Sequence, residues 1–285
     1  ALVSLFMGAT ISGPISRLVR QSKLVVQGRR SGIEPLENPV TAEIAELSET
    51  VSAMAAVLLA RAEYISDFAA KVSHEFKTPL TSIQGAVELL RDHAGSMDDA
   101  SRERFLANIA DDSDRLSRLV TRLLELARAD VMQPEPDGVS SDLLGFLRAL
   151  SDVYEDRGSP FYRGHLAFDD DALWVAIDAD TLASIVRNLI DNALLHGQSH
   201  PRVDVEANDR YAVLSVSDDG PGISAANAVR IFDPFFTTDR EGGGTGLGLS
   251  LVKSLLEAHG GTITLTKHTD GCQFVVTLPR ATDSP

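Results

Sequence analysis

The sequence holds one cysteine, one tryptophan and few aromatic side chains, 6 % in all. A lone thiol, Cys272, closes no intrachain disulfide, so the chain has no covalent framework and fits a reducing compartment. It lies in an apolar run near the C-terminus and reads as buried filling rather than as a reactive group. Long hydrophobic runs are also missing. The first eleven residues are apolar except for Ser4 and Thr10, but a helix needs about 20 such residues to cross a bilayer. Basic charge is scarce where acid charge is dense. Residues 1–62 hold six Lys/Arg against five Asp/Glu, residues 63–130 nine against thirteen, and residues 131–285 eleven against twenty-three. The acidic second half argues against nucleic acid as a partner. An anion bound there must be held by local donors or a metal. What is present, 285 residues of which 44 % are hydrophobic, suffices for two or three compact units.

The only charges among the first 33 residues are Arg17, Arg20, Lys23, Arg29 and Arg30. An apolar end followed by basic residues fits the cytoplasmic flank of a membrane span, so residues 1–11 read as the end of a transmembrane helix. A soluble helix with a basic face is the alternative. Ile15, Leu18 and Val25 share a face of a short helix after Pro14, a residue suited to a first turn. Gly28 to Pro39 reads as a connector. A second helix starts near Thr41, and Ile44, Val51, Leu58, Ile65 and Val72 recur every seven residues along it. Such heptads predict a coiled coil or parallel bundle, with one unbroken helix from about 41 to 78. Helix, connector and helix after a basic stretch resemble the HAMP linker of bacterial receptors, here residues 12–62. Pro14 and Glu43-Ile44 stand where that family has its proline and its Glu-Ile/Leu.

The run Ser73-His74-Glu75-Phe76-Lys77-Thr78-Pro79-Leu80 follows. His74 lies two places past the Val72 seam position and should face solvent. A lone helical histidine is usually a surface residue, but its neighbours here are unusual. Glu75 is an adjacent carboxylate able to orient the imidazole or accept a proton. Thr78 is one turn on, on the same face. Pro79 removes a backbone hydrogen bond and should bend the helix. A seam resumes at Leu80, Ile83, Val87 and Leu90. After a turn at Gly95 to Asp99, a helix is predicted from about Ala100 to Asp130, its seam formed by Phe105, Ile109, Leu116, Val120, Leu123 and Ala127. Two antiparallel helices cannot bury such stripes alone; two chains forming a four-helix bundle can. This unit is expected over residues 63–131.

Gln133-Pro-Glu-Pro-Asp-Gly138 marks a linker over 132–140. Residues 141–281 then alternate between helices (about 142–156, 180–196 and after Gly246) and strands (near 165–168, 173–177, 202–207, 211–217, 262–266 and 273–277). They predict an α/β sandwich with helices on one sheet face, followed by a tail at 282–285. Three stretches of this unit carry chemistry. Asn188 and Asn192 are one helical turn apart, and a neutral carboxamide oxygen can ligate Mg²⁺ without adding charge against a triphosphate. Taken alone, they would pass for surface polar residues. Asp218-Asp-Gly220-Pro-Gly222 follows a strand, where a carboxylate can accept from an exocyclic amine and glycines admit close backbone approach. Gly242 to Gly248 is a glycine-rich entry to an apolar helix, an anion cradle by its backbone amides. It is not a P-loop, since Gly-Lys-Ser/Thr is absent.

His-Glu-Phe-Lys-Thr-Pro-Leu resembles the H box of bacterial sensor histidine kinases of two-component systems, and the hairpin resembles their dimerisation and phosphotransfer domain. The three later stretches resemble the N, G1 and G2 boxes of the ATPase fold shared by histidine kinases, gyrase, Hsp90 and MutL. Phe232-Asp-Pro-Phe-Phe236 is similar to the F box of the kinases. The resemblance implies a homodimer that binds ATP with Mg²⁺, autophosphorylates His74 and passes the phosphoryl group to an aspartate of a response regulator. In it Glu75 is the proton acceptor, and Thr78 positions water to dephosphorylate the regulator. Asn192 is the metal ligand with Asn188 close by, and Asp218 reads adenine, with Gly220 and Gly222 beside it. Gly244, Thr245, Gly246, Leu247 and Gly248 hold phosphates, and residues 224–243 form a mobile lid. The chain would then be the cytoplasmic portion of an inner-membrane protein whose upstream sensor is missing. One position departs from the pattern. Where many relatives have a basic residue three places after the metal-binding Asn, this sequence has Leu195, followed by His196. Arg240, in the lid, is the candidate replacement. The rival readings are a signal-controlled phosphatase acting through Thr78, a non-enzymatic dimeric scaffold, and an ATPase of the gyrase or Hsp90 type. His74-Glu75 and the F box argue against the last.

Overall fold

The structure is a computed structural model. It describes residues 12–27, 31–36, 39, 41–93, 95–129, 139–158, 161–166, 172–197, 200–238, 244–267 and 271–281. The expected membrane-span end, most of the linker, the end of the lid with Arg240, and the tail lie outside the described residues. Among those described, no helix is long and apolar enough to cross a membrane. The chain divides into two compact units, residues 1–78 and 79–285.

In the first unit, helix α1 (Gly13–Val26) carries Pro14 in its first turn, where a missing N–H costs nothing, and buries Leu18. Helix α2 (Ala42–Asp92) begins at Thr41, whose hydroxyl accepts from the Ile44 amide. Of the heptad positions at this end, Ile44 alone is buried within the chain. Ile44, Ser48, Ser52 and Ala55 are buried, whereas Leu47, Met54, Leu58 and Ile65 are exposed. Small side chains at 48, 52 and 55 let other backbone come close, and the Ser48 hydroxyl accepts from the Leu36 amide of the connector at 2.8 Å. The helix also runs on through Pro79. The proline removes only the hydrogen bond to the Glu75 carbonyl, and helical pairing on either side persists.

The second unit begins beyond Thr78. Helix α3 (Asp99–Ala129) starts at Asp98, whose carboxylate accepts from the Ser101 amide. Its residues buried within the chain are Leu119, Leu126 and Ala129, a second stripe beside the expected seam, of which Val120 and Ala127 are exposed. A short antiparallel pair, β1 (Ser141–Asp142) and β3 (Trp174–Val175), flanks α4 (Leu143–Asp156), which is capped by Asp142. The main sheet has the order β2 (Tyr162–Leu166), β4 (Arg202–Ala207), β5 (Tyr211–Ser217), β7 (Cys272–Pro279), β6 (Thr262–Lys267). Only the β2–β4 pair is parallel. Val203, Val205, Ala212, Leu214, Val216, Phe274, Val276 and Leu278 form its fully buried face, the period-two alternation of a sheet covered on one side. Helices α5 (Ala179–His196) and α7 (Gly248–Ala258), separated in the chain by the one-turn α6 (Ala225–Ala228), pack on each other and on this sheet, and α3 packs on α7.

Candidate functional site

Helix α5 is fixed at its start by Asp178, whose Oδ1 accepts from the amides of Asp180 (3.0 Å) and Thr181 (2.9 Å). Burial works to raise this carboxyl, but the bonds from Thr181 and Asp180, with His259 nearby, outweigh it and hold the group below the usual carboxylate range. Leu182, Ile185, Val186, Leu189, Ile190 and Ala193 turn to the core. That leaves Asn188 and Asn192 on the wall of a pocket of about 210 Å³. The Asn188 Nδ2 donates to the Ser184 carbonyl at 2.8 Å, and among the described residues its Oδ1 makes no hydrogen bond. A methyl placed on Gly248 would lie 3.0 Å from that oxygen. Asp191, between the two asparagines, accepts from the Tyr154 hydroxyl. Burial and this carboxylate push the Tyr154 pKa up.

A second wall comes from the end of β5. Asp218 is 7 % exposed. Its Oδ1 accepts from the amides of Gly220 (2.9 Å) and Cys272 (3.3 Å). Among the described residues its side chain makes no other hydrogen bond, which leaves Oδ2 for a ligand. Gly271, with φ of 115°, permits this arrangement: any side chain there would begin 2.0 Å from the Asp218 carbonyl oxygen. Cys272 is buried as expected, and burial, with Asp218 close by, raises its thiol to about 11.

The third wall is the glycine-rich run. Gly244, Thr245, Gly246 and Gly248 line the pocket as α7 begins, and Phe236, Thr237 and Thr238 join them from the stretch expected to be a lid. Leu195 and His196 line it as well. Leu195 is half exposed, 51 %, and supplies no charge.

The pocket therefore gathers Asn188, Asn192, Asp218, Gly222, Gly244, Thr245, Gly246 and Gly248. Gly220 lies just outside the lining and binds Asp218 through its amide; Leu247 is fully buried in the core. Arg240 lies outside the described residues. His74, Glu75 and Thr78 belong to the first unit. His74 is exposed, Glu75 half-buried, and the Thr78 hydroxyl donates to the His74 carbonyl at 3.4 Å. Among the described residues, the pocket's one residue from outside the α/β unit is Arg122, from α3, whose Nη1 donates to the buried Thr245 hydroxyl at 2.5 Å. Its signal in the sequence is only its place on the stripe Leu119, Arg122, Leu126, Ala129.

Residues 177–282 match the model of the histidine kinase-, DNA gyrase B- and HSP90-like ATPases, and residues 64–131 match that of the His Kinase A (phospho-acceptor) domain. The chain belongs to the sensor histidine kinases. Among similar proteins, the sensor protein ChvG of Agrobacterium fabrum is 32 % identical over 98 % of this chain and 50 % of its own length. A probable sensor histidine kinase of Mycobacterium tuberculosis, TcrY, is 33 % identical over 86 % of this chain and 54 % of its own. The chain thus spans about half the length of these sensor kinases. Among solved structures, full-length ShkA in complex with AMPPNP is 27 % identical with a TM-score of 0.55, over 76 % of this chain and 46 % of that one. In this sensor histidine kinase the ATPase-type segment contains every pocket residue named above except Arg122, which falls within the phospho-acceptor match.

Proposed function

We propose that this chain is the ATP-dependent kinase part of a two-component sensor, transferring the γ-phosphoryl group of ATP to His74 and then to an aspartate of a response regulator. The observation that carries the reading is the pocket itself, where two carboxamides, a buried carboxylate with one oxygen unused, and a glycine-rich helix entry converge. The donor set fits Mg-ATP. The Asp218 Oδ2 accepts from the adenine amine. Backbone amides from Gly244 to Gly248 take phosphate oxygens at the start of α7. Asn192, with the Asn188 Oδ1 beside it, would hold Mg²⁺, which neutralises phosphate charge when bound.

In the transfer, a ring nitrogen of His74 forms a bond to the γ-phosphorus as the bond to the bridging oxygen breaks, and ADP leaves with that electron pair. Glu75 accepts from the other ring N–H and stabilises the positive charge that develops on the imidazole. Catalysis is then largely positioning and charge neutralisation. Thr78 suits the reverse task of orienting water for regulator dephosphorylation. Its hydroxyl is the donor in its bond to the His74 carbonyl, so its lone pairs remain to accept from a water. Homodimerisation through the hairpin is supported by the exposed apolar side chains of α2 and α3, among them Leu58, Ile65, Leu80, Val87 and Leu124.

Incubation with γ-labelled ATP and Mg²⁺ tests this. An acid-labile, base-stable label is expected on the wild-type chain. It should be absent from His74→Ala, which still binds ATP. Label that persists in the variant places the nucleophile elsewhere, and an unlabelled wild type that binds ATP overturns the kinase reading.

A further inference from the structure

We propose that Arg122 is a phosphate-binding residue of the nucleotide site, supplied by the helical hairpin rather than by the ATPase fold. This rests on the reading of the pocket as an ATP site and adds a residue to it.

Three observations converge on Arg122. The first is its position. Leu119, Leu126 and Ala129, at 0 %, 3 % and 3 % exposure, are the buried stripe of α3, and Arg122 stands in that stripe facing the pocket. An arginine among buried apolar positions is costly unless its charge is answered. The second is that it is answered only in part. Among the described residues its one hydrogen bond goes to the neutral Thr245 hydroxyl, leaving most of its planar fork of five N–H donors unused. The carboxylates that favour its charge are Asp191, already bonded by the Tyr154 hydroxyl, and Glu125 on its own helix, while Arg118 opposes them. Burial depresses its pKa in consequence. The third is what surrounds it. Thr245 belongs to the glycine-rich entry of α7, where phosphate is expected. Arg122 is the only Lys or Arg among the described residues lining the pocket, against the carboxylates of Asp191 and Asp218. Mg²⁺ would answer only part of a triphosphate's charge beside two carboxylates, and the helix α5 position that would offer a side-chain cation is Leu195. A guanidinium fork at Thr245 matches phosphate geometry. The nucleotide would then bridge α7 and α3, tying ATP occupancy to the contact between the two helices.

The test compares ATP with adenosine, which lacks phosphates, by calorimetry on the whole chain. Arg122→Ala should weaken ATP by about ten- to a hundredfold, the span of charge-assisted hydrogen bonds, and leave adenosine unchanged. Arg122→Gln, which can still reach Thr245 but carries no charge, should lose ATP selectively as well. It serves alone if the alanine variant fails to bind adenosine through misfolding. An unchanged ATP-to-adenosine ratio overturns the inference. So does tighter ATP binding, which would make the Arg122–Thr245 bond a latch that ATP must open. A wild-type chain that binds neither compound overturns the ATP reading and this inference together. One that binds both, with variants that match it, overturns the inference alone.

Discussion

The amide of Phe235 donates to the carbonyl of Gly246 at 2.8 Å, and both residues have φ of 65°. Two left-handed backbones therefore face each other where the F box meets the glycine-rich run. For phenylalanine this conformation costs roughly 1–2 kcal/mol. The burial of its ring, 6 % exposed, and the amide bond hold it there. The junction fixes one end of the phosphate cradle to the stretch that follows Asp233.

Gly246→Ala tests that junction. The added methyl would begin 2.5 Å from the Phe235 carbonyl carbon and 2.7 Å from the Phe236 amide nitrogen, both backbone atoms unable to swing aside. The variant is expected to lose roughly 1–3 kcal/mol of stability in this unit and most of its ATP affinity. Thermal melts and calorimetry check the two effects separately. Wild-type affinity in the variant would show that the cradle does not depend on this contact.

Asp218→Asn separates the two oxygens of one carboxyl group. The asparagine Oδ1 can still accept from Gly220 and Cys272, so the turn should hold. An NH₂ group then replaces the Oδ2 that would accept from adenine. ATP affinity should fall by about tenfold or more, with GTP affected less. Equal affinities for ATP in variant and wild type would remove Asp218 from base recognition.

Asp178 gives a pH signature. Its folded pKa is depressed, so its contribution is fully present above the ordinary carboxylate value of about 3.9 and is lost as pH falls through the lower folded value. Asp178→Ala should cost about 1 kcal/mol at neutral pH through loss of the α5 cap. Asp178→Asn keeps the cap but not the titration, and should lack that part of the acid-side decline. Denaturant melts from about pH 2 to pH 7 measure this. Parallel pH profiles for wild type and the Asn variant would contradict it.

The sequence announced most of the sheet and little of what lies between its segments. β4 and β5 were legible because alternate residues face a single covered side. β2 was expected near His165–Phe168 and lies at Tyr162–Leu166, as an edge strand paired only with β4 has little alternation to read. β1 and β3 are two residues each, too short for any period. Helix α3 was legible as a helix, but its contact with α7 was not. Leu116, Val120 and Leu123 form one helical stripe, and Leu119, Leu126 and Ala129 form another. Spacing marks both; within the chain the second is the buried one, and its Arg122 meets Thr245 just before α7. The pocket motifs announced themselves because asparagines on one turn and clustered glycines are local patterns. Arg122 could not, since its partner Thr245 is 123 positions away, and Gly271 has no neighbouring signature for its contact with Asp218.

The pocket's lining also bears on how such a chain can be cut. Residues 177–282 form a recognisable cassette, and its match marks where a fragment would be cut. The fragment so obtained would carry both asparagines, Asp218 and the glycine run, but it would leave behind the side chain that caps Thr245. A module defined by descent and a module defined by a complete wall are different objects in this protein. A cassette of this kind exchanged between relatives would keep its ancestry and change one face of its pocket.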